Sequence, residues 1–539
     1  MKRLNKFLTL ITLVSVAVIT ESCEKNILEV ERETSLSGPD AAQTAKGAQA
    51  IVEGAVTELK SIFSDIRVSV NRQCGTDIVR NGTHLADEPA SGLFGMNTYD
   101  GNFSAQSEQI ESLWNRHYNG IVFANTIISA LGNLPDAELG ETGADNLGQA
   151  YTMRAYLYLE LVRRFDNIPI IDVRDLDKDG PQFETEQSQR SEVYSLILSD
   201  LNKALPIIRT RAEVDPNIVE PIERPTRGLT LILLTEANLD LGNNAAAAAA
   251  ADELVADPSY LLQPLDNIFG LDGDTETNDE VVFSIGFDPA IPETVQWQSQ
   301  QFVPLYDRVN GVARTMETGG RPWSRLSPSA YYWTLFDTND DGDVKDEADG
   351  RIAAWHKLEW IFDDAENLPD GVNLGDVVTL DHLQEQWPTE GREWRYVEPT
   401  TIKTWEDGTL GRTVAQAEGW RNIIVYRYAH AFISGAEAHF KAGNAARAMQ
   451  LLNVLRERAY GDASGNFSNI TFEDIVEEHA RELGHEGHRW SFLKRNNILV
   501  ERVQMHNVDA SPNVQDRHRL WPIPLSFIDQ TGSQQNPGY

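Results

Sequence analysis

The sequence predicts a mainly α-helical protein in which a tetratricopeptide-like scaffold of helix pairs carries a large, loop-rich and partly β excursion. Three observations predict this fold class. Apolar residues recur at helical spacing in two parts of the chain, 41–256 and 420–539. In each part a short Gly-Asn turn separates two helices, which is typical of a tetratricopeptide unit. Between these parts, residues 257–419 are rich in Gly, Pro and Trp and show weak helical periodicity.

The composition is that of a soluble globular protein, long enough for one large core or several domains. Of the 539 residues, 41% are hydrophobic and 24% are charged. The formal net charge is −36, because 82 acidic side chains outnumber 46 basic ones. The electrostatic field of this negative charge repels nucleic acid and anionic lipid headgroups, which excludes both as main partners. A neutral ligand is little affected by it.

The N-terminal segment 1–22 is predicted to be a signal peptide. A basic start is followed by an apolar run, 7–19, which is too short to cross a bilayer as a resident helix. The run is followed by Ser22-Cys23, and a small residue just before a Cys at this place resembles a bacterial lipobox. We therefore expect a lipid on Cys23 and a polar tether over residues 23–40, with lipid as the membrane attachment. The alternative is an ordinary secreted protein with a leftover cysteine.

The first helical part is organised around the segment 149–171. Residues that recur every four positions form its apolar stripe, namely Met153, Leu157, Leu161 and Phe165. Pro169 prevents the helix from resuming. Such a helix needs neighbours to cover its stripe. Further helices are predicted at 41–63, 114–131, 191–205, 226–241 and 245–256, the last of them rich in alanine.

The second helical part is predicted to contain three helices. The first has an apolar stripe from Val425 to Phe440, and the second covers 445–460. The third covers 471–483, where Thr471 as N-cap and Asp474 form a variant of the capping box. In the excursion between the two parts, short strands are predicted at 280–287 and 377–380.

Motifs in both helical parts resemble those of a known family. They lie in order along the chain at Trp114, Tyr118, Ala124 and Asn125; Arg154, Ala155, Tyr158 and Arg163; Arg427, Ala429, Glu437 and Arg456; Arg481, Glu482, Glu486, Arg489 and Trp490; and Trp521 to Pro524. With a lipobox before them, these motifs make the mature chain similar to the SusD/RagB family of outer-membrane nutrient-binding lipoproteins. Phe492 stands where that family usually has Asp, which puts one local contact in doubt.

The resemblance implies a protein that binds glycans without cleaving them. It implies an outer-membrane location, with a lipid anchor and exposure at the cell surface. It also implies a partner, a TonB-dependent (SusC-like) transporter over which the protein would sit as a lid. The family fold implies that tetratricopeptide helix pairs form the scaffold and that the loop-rich region, 257–419, carries the ligand site.

Aromatic residues are the candidates for binding an oligosaccharide, because sugar rings present C–H faces that stack on indole and phenol rings. Those flanked by Gly, Pro and Ser are expected to be exposed, namely Trp297, Trp323, Tyr331 and Trp333. Phe94 and Tyr99 are further candidates in the early loops. Arg321 is chosen as a polar partner by proximity. The alternative for any one of these aromatic residues is that it belongs to the hydrophobic core.

An acidic loop is the candidate for a metal site. Asp337, Asn339 and Asp341 alternate at positions 1, 3 and 5, and Gly at position 6 permits the sharp turn of a Ca²⁺ loop. The expected ligands of a structural calcium ion are Asp337, Asn339, Asp341, Asp343 and Glu347. Position 12 is Ala, so the loop is not a proper EF-hand. The alternative is a solvated acidic turn, and no cofactor is required for binding.

Three other functions stay open. A peptide-binding member of the same uptake family is the first, although the number of Trp residues favours glycan. An exported glycoside hydrolase is the second, but no spacing singles out a pair of carboxylates. A helical-repeat adaptor is the third, and the large loop-rich part argues against it.

Overall fold

The computed structural model describes residues 44–64, 72–82, 95–171, 176–177, 180–181, 186–216, 221–271, 273–275, 277–291, 295–337, 342–345, 347–388 and 393–539. The predicted signal peptide, Cys23 and the tether lie outside these ranges. Among the described helices, none combines the length and apolarity needed to cross a membrane.

The described residues form sixteen α-helices. Those of the first helical part are α1 (Ala45–Ser64), α2 (Gly95–Thr98), α3 (Glu108–Leu131), α4 (Asp136–Phe165), α5 (Arg190–Ala204), α6 (Arg227–Asp240) and α7 (Asn244–Val255). The excursion contains α8 (Ala330–Thr334), α9 (Arg351–Trp355) and α10 (Leu380–Gln386). The last part contains α11 (Tyr428–Lys441), α12 (Ala445–Tyr460), α13 (Phe472–Leu483), α14 (Arg489–Arg495), α15 (Leu499–His506) and α16 (Leu525–Thr531).

The strands are short, and they pair two by two in antiparallel fashion. They are β1 (Val79–Asn81), β2 (Leu176–Asp177), β3 (Gly180–Pro181), β4 (Val281–Ile285), β5 (Leu326–Pro328), β6 (His356–Lys357), β7 (Thr400–Thr401) and β8 (Ile423–Arg427). The pairs are β1 with β5, β2 with β3, β4 with β8, and β6 with β7. The β4–β8 pair joins the beginning of the excursion to its end, with Val281 opposite Arg427.

The long helices form one continuous array. Helix α3 packs on α1 and α4, α4 on α5, and α6 on α7. Helix α7 then packs on α11, and α11 on α12 and α13. The excursion is therefore inserted between two helices that are neighbours in space. Each helix covers the apolar stripe of the next one, so the two helical parts share one core.

The mainly α fold class is confirmed, and most predicted helices lie within a few residues of their expected positions. The capping box of α13 is present: the Asp474 amide donates to Thr471 Oγ1 at 3.4 Å, and the Thr471 amide donates to Asp474 Oδ2 at 2.6 Å. The strand predicted at 280–287 is β4. The tetratricopeptide character of the helix pairs and the boundaries of the predicted parts stay predictions.

The organising helix is longer than its apolar stripe indicates. Helix α4 begins at Asp136, with a break at Gly140, where φ is 63°. Its first turns are polar, so periodicity could not reveal them. Residues 136–142 are mostly exposed, whereas Asp145 is buried and accepts a hydrogen bond from Arg224 at 2.6 Å and another from the Arg209 amide at 3.0 Å. Polar partners of Asp145 and apolar packing of Leu139 and Leu147 together hold this end of the helix.

Two sequence assignments were wrong. Val425 was placed on a helix but lies in β8, and the helix begins at Tyr428. The strand predicted at 377–380 is reduced to a single bridge between Val377 and Ile361, and α10 begins at Leu380. Short apolar runs are ambiguous between strand and helix, and pairing with another segment decides the outcome.

A second apolar core lies wholly within the excursion. It is formed by Val303, Leu305, Tyr306, Val309, Val312, Trp360, Phe362, Val378, Leu383, Tyr396 and Trp405. The excursion is therefore a packed unit as well as a carrier of loops. This packing gives the loops on its surface a rigid base.

A buried ionic cluster connects the excursion to the last helical part. Glu482 of α13 accepts hydrogen bonds from Arg427 at 2.7 Å and from Arg351 at 3.0 Å, and it also pairs with Arg458. Arg427 in turn contacts Glu280 at 2.7 Å. Burial opposes ionisation of Glu482, but the three arginines outweigh it, so its pKa lies well below the usual range.

Candidate functional site

Two tryptophans from separate loops of the excursion form a parallel pair. The indole rings of Trp297 and Trp323 lie at a centroid distance of 5.2 Å with 5° between their planes. Both side chains are half-buried, so part of each ring surface stays accessible. The guanidinium of Arg325 lies over the Trp323 ring at 4.2 Å and adds a charged group to the edge of the pair. We refer to Trp297 and Trp323 as the indole pair.

The backbone around the indole pair is fixed by hydrogen bonds. Gln301 Nε2 donates to the Trp297 carbonyl at 2.7 Å, and the Gln301 carbonyl accepts from the Arg325 amide at 2.9 Å. The Ser324 amide donates to the Val303 carbonyl at 2.8 Å. Ser324 has a φ of 44°, which is a costly conformation for a residue with a side chain. These bonds hold the strained turn that presents Trp323.

A buried cluster of polar side chains supports the loop that carries Trp297. Gln296 Nε2 donates to Ser299 Oγ at 2.5 Å and to Glu406 at 3.1 Å, and Glu406 also accepts from the Trp420 amide at 3.0 Å. A Cβ on Gly419 would stand 1.9 Å from a Glu406 carboxylate oxygen, so a larger residue there would displace that side chain. Burial raises the pKa of the Glu406 carboxyl. Trp297 is therefore presented from a rigid segment.

Tyr331 and Trp333 lie at a different place, on the short helix α8. The Tyr331 ring stacks on His506 at a centroid distance of 3.8 Å, and its hydroxyl contacts Arg502. Trp333 packs edge-on against His356 at 5.2 Å and lines a cavity of about 590 Å³. The indole pair does not line this cavity. The structure thus divides the four predicted aromatic residues into two groups of two.

The remaining ligand candidates have different outcomes. Tyr99 is only 1% exposed, its hydroxyl donates to the Gly75 carbonyl at 2.7 Å, and its ring stacks on His518 at 4.8 Å. It therefore belongs to the core, which corrects the expectation that a polar loop exposes it. Phe94 lies outside the described residues. Arg321 is exposed.

Most other aromatic residues of the excursion are structural. Among the buried ones are Phe302, Tyr306, Tyr332, Trp355, Trp360 and Trp405. Sequence could not separate these from the indole pair, because both sets lie in the same region of weak helical periodicity. Arg325 was missed, since nothing in the sequence distinguishes it from other arginines. Partial exposure and contact with a second ring distinguish the site, and both are tertiary properties.

The acidic loop is described in part. Asp337 Oδ2 accepts a hydrogen bond from the Gly342 amide at 2.9 Å, and Asp343 Oδ1 accepts one from the Lys345 amide at 3.0 Å. Glu347 is half-buried. Asn339 and Asp341 lie outside the described residues. Among the described residues, no group of three or more His, Cys, Asp or Glu side chains forms a metal site. The calcium site stays a prediction.

Two family models cover most of the chain between them. The first, for a SusD-like family described as starch-binding and associating with the outer membrane, matches residues 47–227. The second is described as the SusD family and matches residues 279–539. The second match contains the indole pair, α8 and the buried ionic cluster.

Known proteins resemble this chain over nearly its full length. A SusD-like protein of Formosa agariphila is 23% identical over 552 residues and covers 99% of both chains. A SusD homologue of Bacteroides thetaiotaomicron has a TM-score of 0.72 at 19% identity, covering 94% of this chain and 100% of that one. A laminarin-binding SusD-like protein has a TM-score of 0.66 at 20% identity, covering 92% and 99%. These structural similarities show a shared fold.

Proposed function

The chain belongs to the SusD family, and on that basis we propose that it is a surface glycan-binding lipoprotein that captures oligosaccharides without cleaving them. The observation that carries this proposal is the indole pair on its braced loops. The ring surface of this pair that stays exposed offers an apolar contact for the C–H face of a sugar ring. Since the loops are fixed before binding, little conformational entropy is lost when the ligand stacks.

The charge of the protein agrees with an uncharged ligand. A net charge of −36 disfavours polyanionic glycans over most of the surface. Stacking and neutral hydrogen bonds are insensitive to that field. We further propose that the captured glycan passes to a TonB-dependent transporter, as the resemblance to the family implies. A peptide ligand would make less use of two parallel indoles.

Glycan array screening followed by isothermal titration, run beside an assay for released sugar, tests the proposal. Binding with no product is the expected result. Release of sugar by the purified chain would instead support a glycoside hydrolase. Peptide binding without glycan binding would support the peptide-capturing alternative, and an absence of both would support a helical adaptor.

We also propose that Cys23 carries the lipid that anchors the protein in the outer membrane. The basic start, the apolar run and the small residue before Cys23 support this proposal. In the native host, an alkyne-tagged fatty acid is expected to label the wild-type chain and to be absent from a Cys23→Ser variant. Equal labelling of both chains would contradict it.

Calcium binding by the acidic loop is proposed as a structural feature. The hydrogen bond from the Gly342 amide to Asp337 supports this proposal, because it brings the two ends of the acidic segment together. Adding millimolar CaCl₂ to protein treated with chelator is expected to raise the Tm by a few degrees, because a ligand that binds only the folded state stabilises it. A double variant, Asp337→Asn with Asp343→Asn, should lose this increase.

The matched control for the calcium test is Asp370→Asn, which changes an exposed acidic residue outside the loop. It should keep the full increase in Tm. An equal increase in Tm for the double variant, or no increase for the wild type, would mean that the loop is a solvated acidic turn and not a calcium site.

A further inference from the structure

A cavity with polar walls lies between two loops of the excursion, one before β4 and the other between β7 and β8. Its volume is about 410 Å³, within the usual range for ligand sites. The first wall contributes Leu271, Asp274 and Thr275, and the second contributes Asp407, Thr409 and Leu410. Hydroxyl and carboxylate groups therefore stand beside two leucines, a mixture that suits a ligand with both polar groups and C–H faces. We refer to this space as the polar cavity.

Arg421 holds the two walls of the polar cavity together. Its guanidinium donates to the Gly273 carbonyl of the first wall at 2.5 Å and to the Trp405 carbonyl of the second at 2.5 Å. The cavity is therefore formed before a ligand arrives, which limits the conformational entropy lost on binding. The guanidinium also lines the cavity and disfavours a cation as its occupant.

The hydroxyl of Thr275 requires a partner that the protein does not supply. Thr275 is only 5% exposed and lines the polar cavity. Within the part of the chain that the structure describes, no group forms a hydrogen bond with this hydroxyl. Buried polar groups are almost always hydrogen-bonded. Water or a ligand in the cavity is therefore expected to bond Thr275.

Asp407 offers an acceptor on the opposite wall. Its Oδ1 accepts a hydrogen bond from the Thr409 amide at 3.0 Å and another from the Thr409 hydroxyl. Neither bond uses Oδ2, and the described residues provide no other donor to it. A carboxylate oxygen forms strong, charge-assisted bonds with hydroxyl donors. The cavity thus presents a hydroxyl on one wall and a carboxylate oxygen on the other.

The second wall rests on the same base as the indole pair. Glu406, which lines the polar cavity, accepts a hydrogen bond at 3.1 Å from Gln296, the residue directly before the first indole. Trp405 packs against Gly319, on the loop that leads to the second indole, where a Cβ would stand 3.1 Å from the Trp405 ring. The cavity wall and both indole-bearing loops therefore belong to one packed unit.

We propose that the polar cavity is a second subsite of the glycan-binding site, which takes a neutral, hydroxyl-rich sugar unit of the same chain that stacks on the indole pair. Sugar hydroxyls would donate to Asp407 and bond the hydroxyl of Thr275, while the C–H face of the ring contacts Leu271 and Leu410. Carboxylates on both walls disfavour an anionic sugar such as a uronic acid. This inference rests on the proposed function and specifies the class of glycan.

The probes are the α-1,4-, β-1,3- and β-1,4-linked glucose disaccharides and tetrasaccharides, titrated into the full chain by calorimetry. A tetrasaccharide of at least one linkage is expected to bind about tenfold or more tightly than its disaccharide, because only the longer chain reaches both subsites. Thr275→Val should weaken tetrasaccharide binding about fivefold, and Asp407→Asn about tenfold or more, because a bond to a charged group is stronger. Neither variant should alter disaccharide binding.

A stability measurement and a control separate binding from folding. Thr275→Val keeps the shape of the side chain and removes a hydroxyl with no partner among the described residues, so the Tm should not fall. Thr413→Val, an exposed position on the same loop as Asp407, should bind every probe as the wild type does.

Two results would overturn the inference. If Thr275→Val and Asp407→Asn bind the tetrasaccharide with wild-type affinity while Trp323→Ala loses it, the polar cavity is not a subsite, and the proposed function stands. If no probe binds the wild type, the inference fails as well, and the glycan array then decides the proposed function separately.

Discussion

Replacing Glu482 by glutamine is expected to lower the free energy of unfolding by about 3–5 kcal/mol, the usual cost of removing one partner from a buried ion pair. The substitution keeps the shape of the side chain and removes its charge. Arg351, Arg427 and Arg458 would then share fewer carboxylates in a region from which water is excluded. Since the cluster joins the excursion to α13, both parts should be destabilised together.

Urea unfolding followed by tryptophan fluorescence measures this loss. Glu477→Gln is the matched control, because Glu477 lies on the same helix and pairs with Arg481 at 2.8 Å but is partly exposed. A partly exposed ion pair of this kind contributes less than about 1 kcal/mol to the free energy of unfolding. If Glu482→Gln costs no more than the control, the cluster does not hold the two parts together in the way that its burial indicates.

Replacing Trp297 or Trp323 by alanine is expected to weaken oligosaccharide binding about 30-fold or more, since truncating a central aromatic contact costs about 2 kcal/mol. The two effects should not add, because each ring stacks on the other and the loss of one exposes the second. Replacement of either ring by phenylalanine should restore part of the affinity, because a smaller aromatic face remains.

Titration calorimetry with the best glycan from the array measures these affinities. Trp387→Ala is the control, because Trp387 is also half-buried in the excursion but packs against Tyr396 at 4.8 Å, outside the indole pair. It should bind the glycan normally. Circular dichroism verifies that each variant is folded. Wild-type affinity in both indole variants would mean that the glycan binds elsewhere and would remove the main support for the site.

The ionic cluster also explains why certain charged residues stand out in the sequence. Arg427, Glu482 and Glu486 belong to the motifs that carried the resemblance to the SusD/RagB family. In the structure, Arg427 contacts Glu486 at 2.8 Å and Glu482 at 2.7 Å. The motif spacing could not reveal this role, because Arg427 ends β8, whereas Glu482 lies in a helix far along the chain. Motif recognition thus identified the residues before their contacts were known.

Predictions of site residues from the sequence were least successful in the loops. Trp297 and Trp323 were both selected because small and polar residues surround them, and the structure brings them together. The same argument selected Tyr99, which the structure buries. Small and polar neighbours in the sequence do not determine whether an aromatic ring faces water, because segments distant in the chain can cover the ring. Here His518, from the other end of the chain, covers Tyr99.

The fold class, the positions of most long helices and the family could be predicted from the amino-acid sequence alone, because helical periodicity, caps and motifs are properties of neighbouring residues. The other features depend on tertiary packing. It packed α7 on α11 across the whole excursion, stacked two indoles from separate loops, and gathered the charges of the ionic cluster. Each of these features joins segments that are distant in the chain, and local pattern carries no information about which distant segment a surface will meet.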